Sequence, residues 1–220
     1  MKLKALTLLK VDVVSMGRKV DRSVEEMTKM LRHEPDASLE FIEEQEEEIN
    51  DVCHEIEEKC IDLLLENQSM SAKEIRALVS ITIIAAKLER MADHANRVAK
   101  VAEWAREEGV EVPEEMVEMA EVVHEMARDT LISFLNEEAD KAKEILQRDN
   151  SVDYLHDVLS KRLLSDLGDQ DRTKAQIRAQ FLFCARFLER MGDACTSIAK
   201  RIYFIATGNR LHAQTMDLSR

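Results

Sequence analysis

One apolar seam is written twice in this chain, the second copy 100 residues after the first. In the first copy Ile81, Ile84, Leu88, Met91, Ala95, Val98 and Ala102 recur at steps of three and four. In the second, Phe181, Cys184, Leu188, Met191, Cys195, Ile198 and Ile202 do the same. That spacing holds apolar side chains on one stripe of an α-helix, the seam of packed bundle helices. A seam repeated at a fixed offset marks an internal repeat, so the chain has to build one helical unit twice. Inside each copy stands the pattern LERM-x-D, at Leu88–Asp93 and Leu188–Asp193. Four positions make roughly one helical turn, so Glu89/Asp93 and Glu189/Asp193 each present two carboxylates from one face.

The rest of the chain agrees with an all-α reading. Only five Gly, two Pro and 4% aromatics stand beside eleven Met and many Ala, Leu, Glu and Lys, which predicts long helices joined by few, short loops. The breaks divide it. Pro35 follows one helical stretch, Asn67–Ser71 is polar, and Ser71-x-x-Glu74 reads as a capping box. Gly109 through Pro113 separates the halves, with Pro113 suited to a first helical position. Asn136, Gly168–Thr173 and Gly208 supply the remaining stops. Six helices are predicted, over 4–33, 37–66, 71–107, 113–135, 137–166 and 171–207. The first carries its own seam, Leu6, Leu9, Val13, Met16, Val20 and Met27. Helices of this length are rods of about 45 Å at ~1.5 Å rise per residue. The expected architecture is two tandem three-helix bundles, stacked or side by side, over 1–109 and 110–220.

Charge and targeting exclude several function classes. A net charge of −13 argues against nucleic-acid binding, which needs a basic face. Lys200, Arg201, Arg210 and Arg220 are too sparse for a binding tract. Met1–Lys10 is short and interrupted by lysines, unlike a signal peptide or anchor, and every longer apolar run is broken before 18 residues. The expectation is a soluble, cytoplasmic protein without direct membrane insertion. Cys53, Cys60, Cys184 and Cys195 show no CxxC spacing, and they read as small, reduced core residues.

Carboxylates also interrupt two seams. The second helix reads Leu39, Ile42, Glu46, Ile49, Cys53, Ile56, Cys60, Leu63; the fifth reads Ala142, Ile145, Asp149, Val152, His156, Leu159, Leu163. The offset here is 103 residues, so the repeat carries a small length difference. A carboxylate on a packing seam is costly unless solvated, paired or coordinated. Asp149 and Asp153 make another pair at four-residue spacing, where the first half has Glu46 and Asn50. With antiparallel neighbours, each half would gather two such pairs. Oxygen ligands with almost no sulfur or imidazole favour a hard or intermediate cation such as ferric iron, Mn²⁺, Mg²⁺ or Ca²⁺. Ordinary solvated charge competes with that reading, because acidic pairs are common in so acidic a chain and Arg90 and Arg190 directly follow the glutamates.

Other motifs are weaker. His94 follows Asp93 and could add a ligand, but Ala194 replaces it in the second copy; a surface or capping histidine is the simpler reading. Met116, Met119 and Met126 have seam spacing and read as core. Glu121-x-x-His124 matches one di-iron element, yet a ferritin-like site needs two. No phosphate-binding glycine loop, nucleophile elbow or catalytic triad is evident.

Taken together, these residues resemble the PhoU family of phosphate-uptake regulators. That family has two tandem three-helix repeats, each third helix carrying a motif like ERIGD; here it reads ERMAD at Glu89–Asp93 and ERMGD at Glu189–Asp193. The family's second-helix acid followed by Val-Asp is similar to Asp149-Asn-Ser-Val152-Asp153, and more loosely to Glu46-Glu-Glu-Ile49-Asn50. Phe183-Cys-Ala-Arg186 also looks like the family, and the likeness spans about residues 5–208. Two departures fall in the first repeat: Asn50 stands for the usual aspartate and Ala92 for the motif glycine that Gly192 retains. The resemblance implies a non-enzymatic negative regulator of phosphate import and phosphate homeostasis. Its implied partners are the ATPase of the phosphate ABC transporter and a phosphate sensor kinase, and a homodimer is expected. It also implies a metal role for Glu46, Asn50, Glu89, Asp93, Asp149, Asp153, Glu189 and Asp193, holding multinuclear iron or a divalent metal such as Zn, Mn or Mg; some members were seen without metal. Two other classes stay open, a metal-free helical adapter and a carboxylate-metal hydrolase or oxidase.

Overall fold

The computed structural model describes residues 2–66, 69–165 and 171–211. Among the described residues six helices follow in order: α1 (Lys2–Leu31), α2 (Leu39–Glu66), α3 (Ala72–Glu107), α4 (Glu114–Asn136), α5 (Ala139–Ser165) and α6 (Arg172–Thr207). Among the described residues there is no strand. The predicted ends fall within about two residues of these. Part of each expected break at Asn67–Ser71 and Gly168–Thr173 lies outside the described residues, as does Arg220.

Local chemistry explains the helix ends. The Ser71 hydroxyl accepts from the Glu74 backbone N–H at 3.3 Å, while the Ser71 N–H donates to the Glu74 carboxylate at 2.7 Å. This is the expected capping box. Asp171 caps α6 by accepting from the N–H groups of Thr173 and Lys174. Pro113 is not the first helical residue as predicted; it is the residue before it, with ψ at 137°. The extended ψ places it just outside the helix. The stop at Asn136 is made one residue later, where Glu137 adopts a left-handed φ of 52°. Gly208 ends α6 as expected, at a φ of 77° where a side chain would be strained.

Each repeat closes its own triangle, α1–α2–α3 and α4–α5–α6. The two lie side by side through α1 against α4 and α3 against α6. Among the described residues, α2 packs only on α1 and α3, and α5 only on α4 and α6. The inner four helices therefore form a bundle of their own, with α2 and α5 as outer staves. The doubled seam runs down its middle: all seven residues of the α3 seam and all seven of the α6 seam are buried. Because both seams join one continuous core, the repeats are not independent bundles. Truncating a buried seam residue such as Met91 or Met191 to Ala would cost about 2–5 kcal/mol.

α3 and α6 run antiparallel. The His94 ring stacks on Phe187 at 5.1 Å between centroids, and nearer the start of α3 the Arg76 guanidinium lies over the Phe204 ring at 5.8 Å. His94 is thus an inter-repeat contact, not a surface or capping residue; stacking with Phe187 shields its ring. The α1–α4 seam is closed by polar contacts, Arg32 to Glu121 and His124 Nε2 to Asp21 Oδ1 at 3.0 Å. Both residues of the Glu121-x-x-His124 motif are used in this way. Met116, Met119 and Met126 are fully buried, as expected of core. No helix among the described residues is long and apolar enough to cross a membrane.

Candidate functional site

The four acids of the second repeat come from one α5 face and one α6 face. α5 supplies Asp149 and Asp153, and α6 supplies Glu189 and Asp193, each pair one turn apart. The fold brings all four into one electrostatic neighbourhood. Burial, then the charges of Asp153, Asp193 and Glu189, push the Asp149 carboxyl up to about 6, against only a weak opposing effect from Lys200. Burial and then Asp193 also raise Glu189. One Glu189 oxygen accepts from Arg186. The other, Oε2, is buried with no hydrogen-bond partner. Among the described residues, Asp149, Asp153 and Asp193 form no ion pair.

Gly192 makes this proximity sterically possible. It is buried in α6 directly against α5, and a Cβ placed there would meet Asp149 Oδ1 at 2.9 Å and Val152 Cγ1 at 3.3 Å. The motif glycine lets the Asp149 carboxylate lie down on the α6 backbone.

In the first repeat the corresponding set is less exposed to its own repulsion. Burial, then Asp93, raise the Glu89 carboxyl, with Glu46 adding to the effect and Arg90 and His54 opposing it. Glu46, Glu89 and Asp93 are therefore neighbours, as the duplicated pattern predicts. Asp93, however, is engaged by Arg97, whose Nε lies 2.9 and 3.0 Å from its two oxygens. The residue at the Arg97 place in the second repeat is Ser197. Asn50 is exposed on α2. Ala92 is buried where Gly192 sits in the other repeat.

Two seam expectations need correction. Glu46 and Asp149 are half-buried at the margin of the seam, not inside it. The buried polar residue of α2 is its neighbour Gln45, whose Oε1 has no partner, and Leu155 joins the α5 core beside the half-buried His156. His54 and His156 were not singled out as site residues, yet each lies near its repeat's motif glutamate. For His156 a signal was present, since it follows Asp153 by three residues and so shares its face.

The donor chemistry suits a hard cation in the second repeat. A cation there would relieve mutual carboxylate repulsion and satisfy the orphaned Glu189 oxygen. No group of three or more His, Cys, Asp or Glu side chains among the described residues already stands around a common point. Metal would have to draw the acids together.

The PhoU domain family model matches this chain twice, over residues 13–102 and 116–202. The chain belongs to the PhoU family. The "phosphate-specific transport system accessory protein PhoU homolog" of Clostridium acetobutylicum is 28% identical over 201 residues, covering 91% of each chain. The crystal structure of the phosphate transport system regulatory protein PhoU from Streptococcus pneumoniae superposes with a TM-score of 0.84 at 26% identity, covering 96% of this chain and 100% of that one. The crystal structure of PhoU from Pseudomonas aeruginosa gives 0.85 at 25% identity, covering 95% and 100%. The two matched PhoU stretches each contain one duplicated acid motif, Glu89–Asp93 in the first and Glu189–Asp193 in the second.

Proposed function

We propose that this protein is a negative regulator of inorganic phosphate uptake, acting in the cytoplasm by contact with an ATP-driven phosphate importer and without chemistry of its own. The observation that carries the reading is the family match over both repeats, together with relatives named as accessory or regulatory proteins of phosphate transport. The net charge of −13 and the acidic outer helix α2 support docking to a protein more than to an anionic lipid surface. The partner is the importer's ATPase or a phosphate sensor kinase, engaged by a homodimer. Asp149, Asp153, Glu189 and Asp193 would hold iron or another hard cation, with Glu46, Asn50, Glu89 and Asp93 as a weaker set. A bound cation would supply charge neutralisation and pin α5 to α6.

Deleting the gene should raise phosphate uptake or polyphosphate storage when phosphate is plentiful, and pull-downs should recover the ATPase or the sensor. Unchanged uptake with no transporter component recovered would refute the assignment. A metal-free adapter is the second reading, favoured by the Asp93–Arg97 pair and the unassembled acid geometry. Metal analysis of protein purified without chelators or affinity tags decides between them.

A further inference from the structure

The same α6 face that carries Glu189 and Asp193 changes sign beyond Ser197. There a cleft of about 410 Å³ opens between α3 and α6 and is lined by Lys87, Lys200, Arg201 and Arg210, with no carboxylate in its wall. Its apolar surface comes from Ile83, Phe204 and Leu211. In a chain with 44 acidic and 31 basic residues, four cations facing one cleft without an ion pair among the described residues need a reason.

Bundle packing does not supply it. The pseudo-equivalent positions in the other repeat are Phe187 for Lys87 and Val101 for Arg201, so the fold forms without cations there. Lys200 has Lys100 as its counterpart, and Lys100 is neutralised by Glu43 at 2.9 Å. The α5 residue at the Glu43 place is Leu146. The charge that would silence Lys200 is absent from that position. In the cleft wall Arg210 lies over the Phe204 ring at 5.9 Å from its centroid, and Arg76, outside the wall, lies over the same ring at 5.8 Å. Arg76 Nε is buried with no hydrogen-bond partner.

We propose that this α3–α6 cleft binds the oligophosphate group of a small molecule, with Lys87, Lys200, Arg201 and Arg210 as its ligands. Guanidinium forks and ammonium groups together match a chain of phosphate oxygens. The volume lies within the roughly 300–1,000 Å³ of small-molecule sites. A single phosphate would leave some of these cations unmatched. Lys200 lies close enough to the carboxylate cluster to act on Asp149, but no carboxylate lines the cleft, and the proposal does not depend on the phosphate-uptake reading.

The test is isothermal titration of the full-length protein in metal-depleted, low-salt buffer with tripolyphosphate and, separately, with ATP. Metal depletion prevents a cation on the carboxylates from recruiting phosphate. Saturable binding of both probes in competition identifies the phosphate chain as the recognised group; binding of ATP alone identifies a nucleotide source. Inorganic phosphate should bind at least about ten-fold more weakly, having lost charge-assisted bonds. Lys87→Ala and Arg201→Ala, on different helices, should each weaken binding by about ten-fold, while Arg201→Lys restores part of it. Circular dichroism checks that each variant is folded. No binding of either probe overturns the proposal. So does unchanged affinity in the folded Lys87→Ala/Arg201→Ala double variant, or equal binding of a short polyglutamate peptide.

Discussion

Gly192 and Asp149 meet across the α5–α6 interface so closely that a methyl group at 192 would lie 2.9 Å from Asp149 Oδ1. At the equivalent positions the first repeat has Ala92 and Glu46, each one carbon longer than its counterpart. Glycine with aspartate, or alanine with glutamate, are two ways of seating a carboxylate beside the third helix. The shorter pair brings the acid nearer the α6 backbone and its neighbouring acids, which is where desolvation and repulsion are largest.

Gly192→Ala should therefore change the acid cluster more than the fold. A helical Gly→Ala change gains about 1 kcal/mol in propensity, while crowding at Val152 and Asp149 costs about 1–3 kcal/mol. The net effect on urea unfolding should be small or mildly destabilising. The Asp149 carboxylate, displaced outward, should titrate closer to the usual carboxylate range by NMR. An unshifted titration would show that the glycine does not set this contact.

Asp149 also sets a pH dependence with a definite sign. Its folded carboxyl is raised from 3.8 to about 6 by burial and by Asp153, Asp193 and Glu189. The stabilising contribution of the protonated form is full below the unfolded pKa and is lost as pH rises through about 6. At neutral pH the ionised group is a net cost in metal-free protein. Asp149→Asn should stabilise that protein by about 1–2 kcal/mol at pH 7.5, allowing for solvent screening. Below pH 4 it should have little effect. Paired urea titrations of wild type and variant at both pH values measure the difference. Equal stability at pH 7.5 would mean that the acids are relieved by solvent or rotation.

Much of this architecture was legible because helix seams are periodic. The Ile81–Ala102 and Phe181–Ile202 rows name α3 and α6, their doubling gives the repeat, and caps such as Ser71 and Gly208 locate the ends. Periodicity describes one helix at a time, however, and does not say which helix lies opposite. The fusion of both seams into one core, the His94–Phe187 stack and the α3–α6 cleft depend on pairing between repeats. Lys200, Arg201 and Arg210 looked sparse along the chain because Lys87, which completes the group, lies over 100 residues away. In the acid cluster the residue types were visible, but the capture of Asp93 by Arg97 depended on a side-chain conformation.

The four cysteines should be inert in the native protein. Burial pushes the Cys60, Cys184 and Cys195 thiols up to about 12 and Cys53 to about 11. Little thiolate is present at pH 8, and the sulfur atoms lie in the core. A disulfide-exchange reagent should modify them only as fast as the chain opens, with all four reacting promptly in denaturant. Rapid modification of folded protein at the wild-type stability would contradict the placement of these residues.

Metal, if it is added back to depleted protein, should fill the second repeat first. There Asp149, Asp153, Glu189 and Asp193 offer four carboxylates, and Glu189 Oε2 is buried without a partner. The first repeat offers Asn50 in place of an acid, and its Asp93 must be released from Arg97 before it can coordinate. Lower ligand charge and a competing ion pair both weaken binding of a hard cation. Asp193→Ala should lower the metal stoichiometry measured by inductively coupled plasma mass spectrometry more than Asp93→Ala does. Arg97→Ala should move the two repeats closer in affinity by freeing Asp93. A larger loss from Asp93→Ala would reverse the ranking and show that the Arg97 pair yields easily to metal.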